Sequence, residues 1–416
     1  MKHAIPAIEG GSPTRSTFLP YAQQWIDKED IDGVTAALKN DWIIYGPNVE
    51  DFENNIKEYT GAGYAVSTST GTTALHLACL AAGIGEKDRV LTSPISFLAT
   101  SNSVLYCGGV PVFIDIDERT YNISPERIEE HIENHPEVKC IIPVHFGGLP
   151  CEMEEIHRMA KKHDFTVIED AAHAIGANYI ADALEEKPIK VGNPLFSDMI
   201  CFSFNAVKNM TTGLGGAVCT NSKDYYERLL CFRQHGIDRN TAVKKQEGDW
   251  YHDMIELGFN YQLTGFQCAL GSAQLKRIDR FIEKRRNLIR RYQMELSSVP
   301  EIQLPVDSLK NHAWHLFVIR LKPGKLNVSR KQIFDALRRE NIGVNVHFIP
   351  IYFNTYYRKL GYRAGLCPEA EKYYETAITL PLFPKMTEND VLDVVNALKK
   401  VLAYYGKPHS QTSRVA

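Results

Sequence analysis

The sequence predicts an α/β protein in which a mostly parallel sheet is covered by helices and followed by a smaller α+β unit. Two observations carry this. Short β-rich runs alternate with helical stretches from early in the chain to past its middle, and the pattern changes after about Leu270. Such alternation favours parallel pairing, because parallel strands need a crossover and a helix supplies it.

Taken in order, Lys28 to Asn40 is amphipathic, with Ile31, Val34, Ala37 and Leu38 on one face. Thr72 to Ala82 is apolar nearly all round and predicts a buried helix. The runs RVLTSP, VPVFIDI, CIIPVHF, FTVIED and MICFSF predict strands, with helices at Pro125 to Asn134 and Glu152 to His163 between them. Beyond Leu270 the pattern predicts one long charged helix, Ala273 to Leu296. Two strand-like runs follow, HAWHLFVIRL and IGVNVHFIP, and then a helix from Glu388 to Tyr404. There is no internal repeat and no low-complexity segment. In sheets of this kind functional residues gather at the carboxyl ends of the strands.

Composition narrows the function classes. The 416 residues exceed one ordinary domain, and 44% hydrophobic residues suffice for a large core. The 47 basic and 50 acidic residues leave a net charge of −3, without the basic excess that a nucleic-acid or membrane partner needs. The nine cysteines form no CxxC pair and sit mostly among apolar neighbours, which predicts buried free thiols in a reducing compartment. The first residues, MKHAIPAIEGGSPTRSTFLP, lack the apolar core of a signal peptide, so a cytoplasmic location is expected. The last, GKPHSQTSRVA, are polar and without apolar period, which predicts a loose tail.

Four local features point to chemistry. Lys208 ends the run SFNAVK after an apolar strand and precedes TTGLGGAV. A lysine crowded there is desolvated, and the neutral amine this favours can attack an aldehyde to form a Schiff base. A surface loop lysine would read the same way. Asp170 closes the run FTVIED, where a buried carboxylate keeps a pyridine nitrogen protonated, and His173 follows three residues on; a turn capping the next helix is the plain alternative. Ser69-Thr70-Gly71-Thr72-Thr73 leads into the buried helix, whose free N–H groups favour a phosphate; an ordinary N-cap explains the same residues. Phe97, in SPISFLAT, suits stacking on a flat ring, or simply the core.

Other motifs do not compete. GLGGAV breaks the dinucleotide fingerprint at its last position, and neither a Walker A sequence nor HExxH occurs. His312 and His315 fall on opposite faces of the predicted strand, which argues against a shared metal.

The ordered blocks TSTGTTALHLA, SPISFLATSN, VHFGG, EDAAHAIGA, SFNAVKNMTTGLGGAV, GFNYQLTGFQCALGSAQLKR and VHFIP resemble the DegT/DnrJ/EryC1/StrS family of sugar aminotransferases, from about Leu19 to Leu402. The stretches HAWHLFVIRL, NVHFIPIYFNTYYRKLGY and ITLPLFP are most similar to enzymes that aminate carbon 4 of a UDP-linked 4-keto-6-deoxy sugar, of the pseudaminic acid or spore-coat polysaccharide type. The resemblance implies a fold-type I enzyme dependent on pyridoxal 5'-phosphate (PLP). It implies a seven-stranded, mostly parallel sheet and a homodimer with shared active sites. It places an N-terminal extension at 1–18, a large PLP-binding domain at 19–270, a small C-terminal domain at 271–405 and a flexible tail at 406–416. L-glutamate is the expected donor, leaving 2-oxoglutarate, and a nucleotide-linked keto sugar the acceptor; no metal is expected.

By the same resemblance Lys208 matches the Schiff-base lysine, Asp170 the partner of the pyridine nitrogen and His173 a residue beside the ring. Phe97 takes the stacking position. Thr70, Gly71, Thr72 and Ser203 match the phosphate cup, and Asn260 matches a residue reaching the phosphate from the other subunit. His347 and Asn205 fall where relatives line the sugar pocket. The chain departs from the family at Asn205, where His or Tyr is common, and at Leu214, where an acidic residue is common. The stretch Tyr179 to Pro194 is longer than in most relatives. Related readings are a perosamine-type or 3-keto sugar aminotransferase and a regulatory PLP-fold protein. A dehydratase of the same fold would carry histidine in place of Lys208.

Overall fold

A computed structural model describes residues 4–179, 188–238, 248, 250–306 and 311–407. Its main sheet has seven strands: β1 (Tyr64–Thr68), β2 (Arg89–Thr92), β3 (Val110–Phe113), β4 (Val138–Ile142), β5 (Thr166–Asp170), β6 (Met199–Ser203) and β7 (Gly216–Thr220). Their spatial order is β1-β7-β6-β5-β4-β2-β3. The stretch β3-β2-β4-β5-β6 is parallel, and β7 runs antiparallel to both β6 and β1. β1 and β7 fall outside the β-rich runs of the sequence, being built largely of small and hydroxyl residues with a weak apolar signal.

Side-chain alternation divides the core. Val167 of β5 packs with Leu91, Ile141 and Ile200 on one face, while Ile168 packs with Val90, Ile142 and Met199 on the other. Glu169 and Asp170 therefore leave the same strand on opposite faces. The buried helix Gly71–Ala81 covers the face to which Asp170 belongs.

A second sheet combines β10 (Ile302–Gln303), β11 (Phe317–Leu321) and β12 (Ala377–Leu380), all antiparallel, and a pair of two-residue strands, β8 (Ile237–Asp238) and β9 (Asp253–Met254), stands apart. The helix Ile278–Leu296 belongs to both cores. Ile278, Phe281 and Ile282 join the main core, and Leu288, Ile289, Tyr292 and Leu296 join the second. Arg285 lies between these groups, fully buried. Its Nη1 donates to the carbonyls of Trp314 (3.1 Å), His315 (3.4 Å) and Leu382 (2.9 Å). Burial pushes its guanidinium down to about 9.

Three sequence expectations are corrected. The long helix Ala273 to Leu296 is two helices, Gly265–Leu275 and Ile278–Leu296, with Arg277 at the break in non-helical geometry. Arg277 is held there by Asp27 and Asp30, to which its guanidinium donates. Of the two later strand-like runs, only Phe317–Leu321 is a strand; Ile342 and Asn345 make isolated bridges to Leu19 and Thr379, and β12 supplies the partner instead. Finally, Lys28–Leu38 is helical, but Ile31 and Leu38 are 59% and 54% exposed and only Ala37 of the expected face is buried. The stretch Tyr179 to Pro194 lies partly outside the described residues, as does the expected tail 406–416, of which Gly406 and Lys407 are described.

The N-terminal segment docks on the second core through Glu340, which is fully buried and accepts from the amides of Ala7 and Thr14, from Thr14 Oγ1 (each 2.7 Å) and from Lys400 Nζ (3.0 Å). These donors hold its carboxyl below the usual range, overriding the opposing effect of burial. A depressed folded pKa contributes stability at neutral pH that is lost as pH falls through the folded value. Glu340→Gln is expected to lower stability at pH 7 by about 2 kcal/mol. The gap to wild type should narrow only once pH drops below the ordinary glutamate range. Thermal unfolding of both proteins at pH 7, 5 and 3.5 checks this, and a constant gap would contradict it.

Candidate active site

Every candidate site residue except Asn260 lines one cavity of about 480 Å³ at the carboxyl ends of β5 and β6. Lys208 follows β6 in a turn closed by its own amide on Asn205 O (2.9 Å). Phe204 fixes the base of that loop, donating from its amide to Gly215 O (2.8 Å) and accepting at its carbonyl from the Thr212 amide (3.0 Å). Asn209 anchors the far side through its Nδ2, which faces the carbonyls of His173, Ile175 and Ala313 at 3.3–3.4 Å. The loop is thus held at both ends, and the Lys208 side chain enters the cavity.

Burial pushes the Lys208 amine down to about 8 from an ordinary 10.5, while the charge of Asp170 acts in the opposite direction. Asp170 is 5% exposed. Its Oδ1 accepts from the Ala172 amide (3.1 Å) and its Oδ2 from Thr100 Oγ1 (2.6 Å). Asp170 therefore caps a turn and also faces the cavity; no helix follows that turn among the described residues, so the helix cap of its alternative reading is absent.

The mouth of the buried helix shows the same double service. Thr70 is its N-cap: Oγ1 accepts from the Thr73 amide (3.0 Å), and the Thr70 amide donates back to Thr73 Oγ1 (3.0 Å). The Ala74 amide donates to Thr70 O (3.1 Å), which leaves the amides of Gly71 and Thr72 as the helix's remaining end donors. Ser203, at the end of β6, closes the cup. A Cβ on Gly71 would stand 2.6 Å from the Ser203 Cβ, and one on Gly216 would stand 2.5 Å from Thr70 O. Only glycine permits this approach.

Three imidazoles share the cavity wall. His173 Nδ1 accepts from the Gly147 amide (3.3 Å), which leaves the ring hydrogen on Nε2. The Gly147 carbonyl accepts from the His315 amide (2.8 Å), and the two rings lie 4.5 Å apart. His347 Nδ1 is 2.9 Å from Thr379 Oγ1. Burial, assisted by Lys208, pushes all three down: His347 to about 3, and His173 and His315 well below the usual imidazole range. They are neutral at physiological pH.

Phe97 stands at the mouth, 59% exposed. Asn205 and Leu214 also line the cavity, so both departures from the family pattern face it. Asn260 is exposed and outside it, bridged to Gln234. His312 and His315 are not on a strand. His312 stacks on Trp314 at 3.9 Å, away from the cavity that His315 lines.

Sequence reasoning missed Tyr21, Ser96, Thr100, Asn345 and Phe348, which line the cavity or contact Asp170. Ser96 and Thr100 stood in the same motif as Phe97. Tyr21 carried no local signal, being brought in by tertiary contacts, while Asn345 and Phe348 stood beside His347 in a block already noted without being singled out. PLP fits this donor set: an amine for its aldehyde, a buried carboxylate for its ring nitrogen, and a glycine-lined cup with free amides for its phosphate.

Comparison with known proteins agrees. Residues 24–399 match the model of the DegT/DnrJ/EryC1/StrS aminotransferase family. The spore coat polysaccharide biosynthesis protein SpsC of Bacillus subtilis is 38% identical over 392 residues, covering 93% of this chain and 98% of its own. The structure of Helicobacter pylori PseC, an aminotransferase of pseudaminic acid biosynthesis, superposes with a TM-score of 0.85 at 28% identity, over 94% of this chain and 100% of that one. A Streptococcus pneumoniae protein described as a sugar aminotransferase, solved in its PLP form, gives a TM-score of 0.83 at 25% identity, over 93% and 99% of the two chains.

Reductive trapping of pyridoxal on apo-protein should label Lys208 with a half-maximal rate near pH 8 rather than near 10.5. Asp170→Asn should move that half-point lower still, since Asp170 raises the amine. Peptide mass after borohydride reads the site. A half-point matching ordinary surface lysines would contradict the desolvated amine.

Proposed function

The chain belongs to the DegT/DnrJ/EryC1/StrS aminotransferase family and is a PLP-dependent sugar aminotransferase; from that premise we propose that it moves the amino group of L-glutamate to carbon 4 of a UDP-linked 4-keto-6-deoxy sugar for a bacterial glycan. The observation that carries this reading is the meeting of Lys208, Asp170 and the Thr70–Thr72 cup in one cavity whose rim comes from the stretch 345–348. That stretch belongs to the blocks most similar to carbon-4 aminotransferases. SpsC and PseC, whose names concern spore coat polysaccharide and pseudaminic acid, support the same direction.

PLP supplies an aldehyde that takes up an amino group and a ring that accepts an electron pair. The chain's residues do the rest. With PLP bound, Lys208 would hold it through its amine, and the same Nζ, when free, would be placed to take a proton from the donor's α-carbon and to return it. Its lowered pKa suits both tasks, because a group titrating near the working pH gives and accepts protons with little penalty. Asp170 would hold the ring nitrogen protonated. The amides of Gly71 and Thr72, with Thr70 and Ser203, would hold the phosphate, and Phe97 would stack on the ring. His173 would donate from Nε2 beside it.

At the rim, His347 and Asn205 meet the sugar. Asn205 is a neutral amide where relatives often carry a ring, and Leu214 removes a charge beside Lys208. Only the change at Leu214 makes the entrance less ionic, which suits the uncharged deoxy-sugar end of the acceptor. We place a second copy of the chain over the mouth, with its Asn260 reaching the phosphate. Two features support a dimer: Asn260 lies outside its own chain's cavity, and the run Trp42, Ile43 and Ile44 is 61%, 47% and 49% exposed.

Added L-glutamate should bleach the visible band of the PLP-loaded protein. A panel of nucleotide keto sugars should then yield an amino sugar by mass, with the UDP-linked 4-keto-6-deoxy member turned over fastest. Lys208→Ala should lower turnover at least about a thousandfold, the size expected when the group that moves the proton is lost. A band indifferent to glutamate would overturn the donor; a band that bleaches with no sugar accepted would favour a regulatory role.

A further inference from the structure

Behind Asp170 lie two hydroxyls that the proposed function leaves without a task. Thr100 is fully buried and Ser96 is 5% exposed. Thr100 Oγ1 stands 2.6 Å from Asp170 Oδ2 and 2.6 Å from Ser96 Oγ, with the Phe97 carbonyl a poorer acceptor at 3.2 Å. A carboxylate only accepts, so Thr100's single hydrogen goes to Asp170 and Ser96's goes to Thr100. Both hydroxyls therefore point their hydrogens toward the carboxylate, in a chain whose members polarise one another. With the Ala172 amide on Oδ1, Asp170 is clamped at both oxygens.

We infer that Ser96 and Thr100 form a two-hydroxyl relay that positions Asp170 and keeps it ionised against the ring nitrogen of bound PLP. They are positioning residues, and the inference rests on the reading of Asp170 as the ring's partner. Hydrogen bonds to the charged form favour that form. Without the relay, the proton between the ring nitrogen and Asp170 shifts toward Asp170, and the ring loses positive charge. A positive ring disfavours a second positive charge on the nitrogen that Lys208 contributes. Losing it therefore raises that nitrogen's pKa.

The titratable groups around the carboxylate do not obscure this. His173, His315 and His347 are held neutral, and the buried thiols of Cys201 on β6 and Cys151 are pushed well above their usual range. Lys208 is the group whose titration is read.

The experiment uses the full chain loaded with PLP, following the visible absorbance against pH and, separately, the dissociation constant for PLP. Thr100→Val, which keeps shape and removes the hydroxyl, should move the absorbance midpoint upward and weaken PLP about tenfold, the scale of one hydrogen bond to a charged group. Thr100→Ser should restore both values. Ser96→Ala should move them the same way by less, and it decides the matter should Thr100→Val fail to fold. Wild-type values in Thr100→Val, a shift that Thr100→Ser does not reverse, or wild-type values in Ser96→Ala alongside an unfolded Thr100→Val would each overturn the relay. Asp170→Asn separates the two levels. If it moves the midpoint and Thr100→Val does not, the relay alone is wrong; if it too leaves the midpoint unmoved, the placing of Asp170 against the ring fails first and takes the relay with it.

Discussion

A carboxylate and an amine lie together at the bottom of a cavity, and taking either out of water costs several kcal/mol unless partners replace the solvent. Asp170 and Lys208 meet that requirement in different ways. Asp170 gains two donors, Thr100 and the Ala172 amide, each fixed by its own backbone. Lys208 instead gives up part of its charge, its amine drawn down by burial against the pull of Asp170. The neighbouring imidazoles are driven to neutrality, so among the described residues lining the pocket no further charge competes. Much of the surrounding architecture follows from keeping these two groups dry and fixed: a parallel sheet whose strand ends converge, a helix whose mouth faces the gap, and a glycine approach that seals it.

The second sheet takes part in this rather than standing beside it. Arg285 lies where one helix passes from the first core to the second, and it holds the carbonyls of Trp314 and His315. Gly147, on the other side, ties the backbone of His315 and the ring of His173 to a single residue. The rim stretch that carries Asn345 and His347 is tethered to β12 through Thr379. Parts of the chain more than a hundred residues apart thus share a few rigid connections. On the proposed reading, sugar and cofactor are gripped by one mechanical unit.

The strands and helices of the parallel sheet were legible because they are apolar and bounded by turns; Asp170 and Thr70 stood out because each closes or opens such an element, Lys208 because it follows one, and Ser203 only through the family resemblance. What the sequence hid has physical causes. The break at Arg277 leaves the apolar period almost intact and depends on two aspartates some 250 residues earlier. The run VHFIP alternates like a strand, yet it lies across the cavity wall with isolated bridges only. Ile31 and Leu38 signalled burial that a single chain does not provide. Thr100 was invisible as a contact of Asp170, since a hydroxyl in a short helix announces no partner 70 residues away.

The approach of Gly71 to Ser203 and of Gly216 to Thr70 also bears on how such a protein can change over generations. At both positions the smallest side chain already collides with a neighbour, one of them backbone, so the cup has no room in which to vary. Leu214, Asn205 and Phe97 line the same cavity with more exposed surface, and a substitution there meets solvent before it meets the core. Drift is thereby partitioned: the part of the pocket proposed to take a phosphate is frozen by steric exclusion, while its entrance can be rewritten one residue at a time. A lineage built on this arrangement can explore new acceptors without first surrendering the fold that makes any acceptor useful.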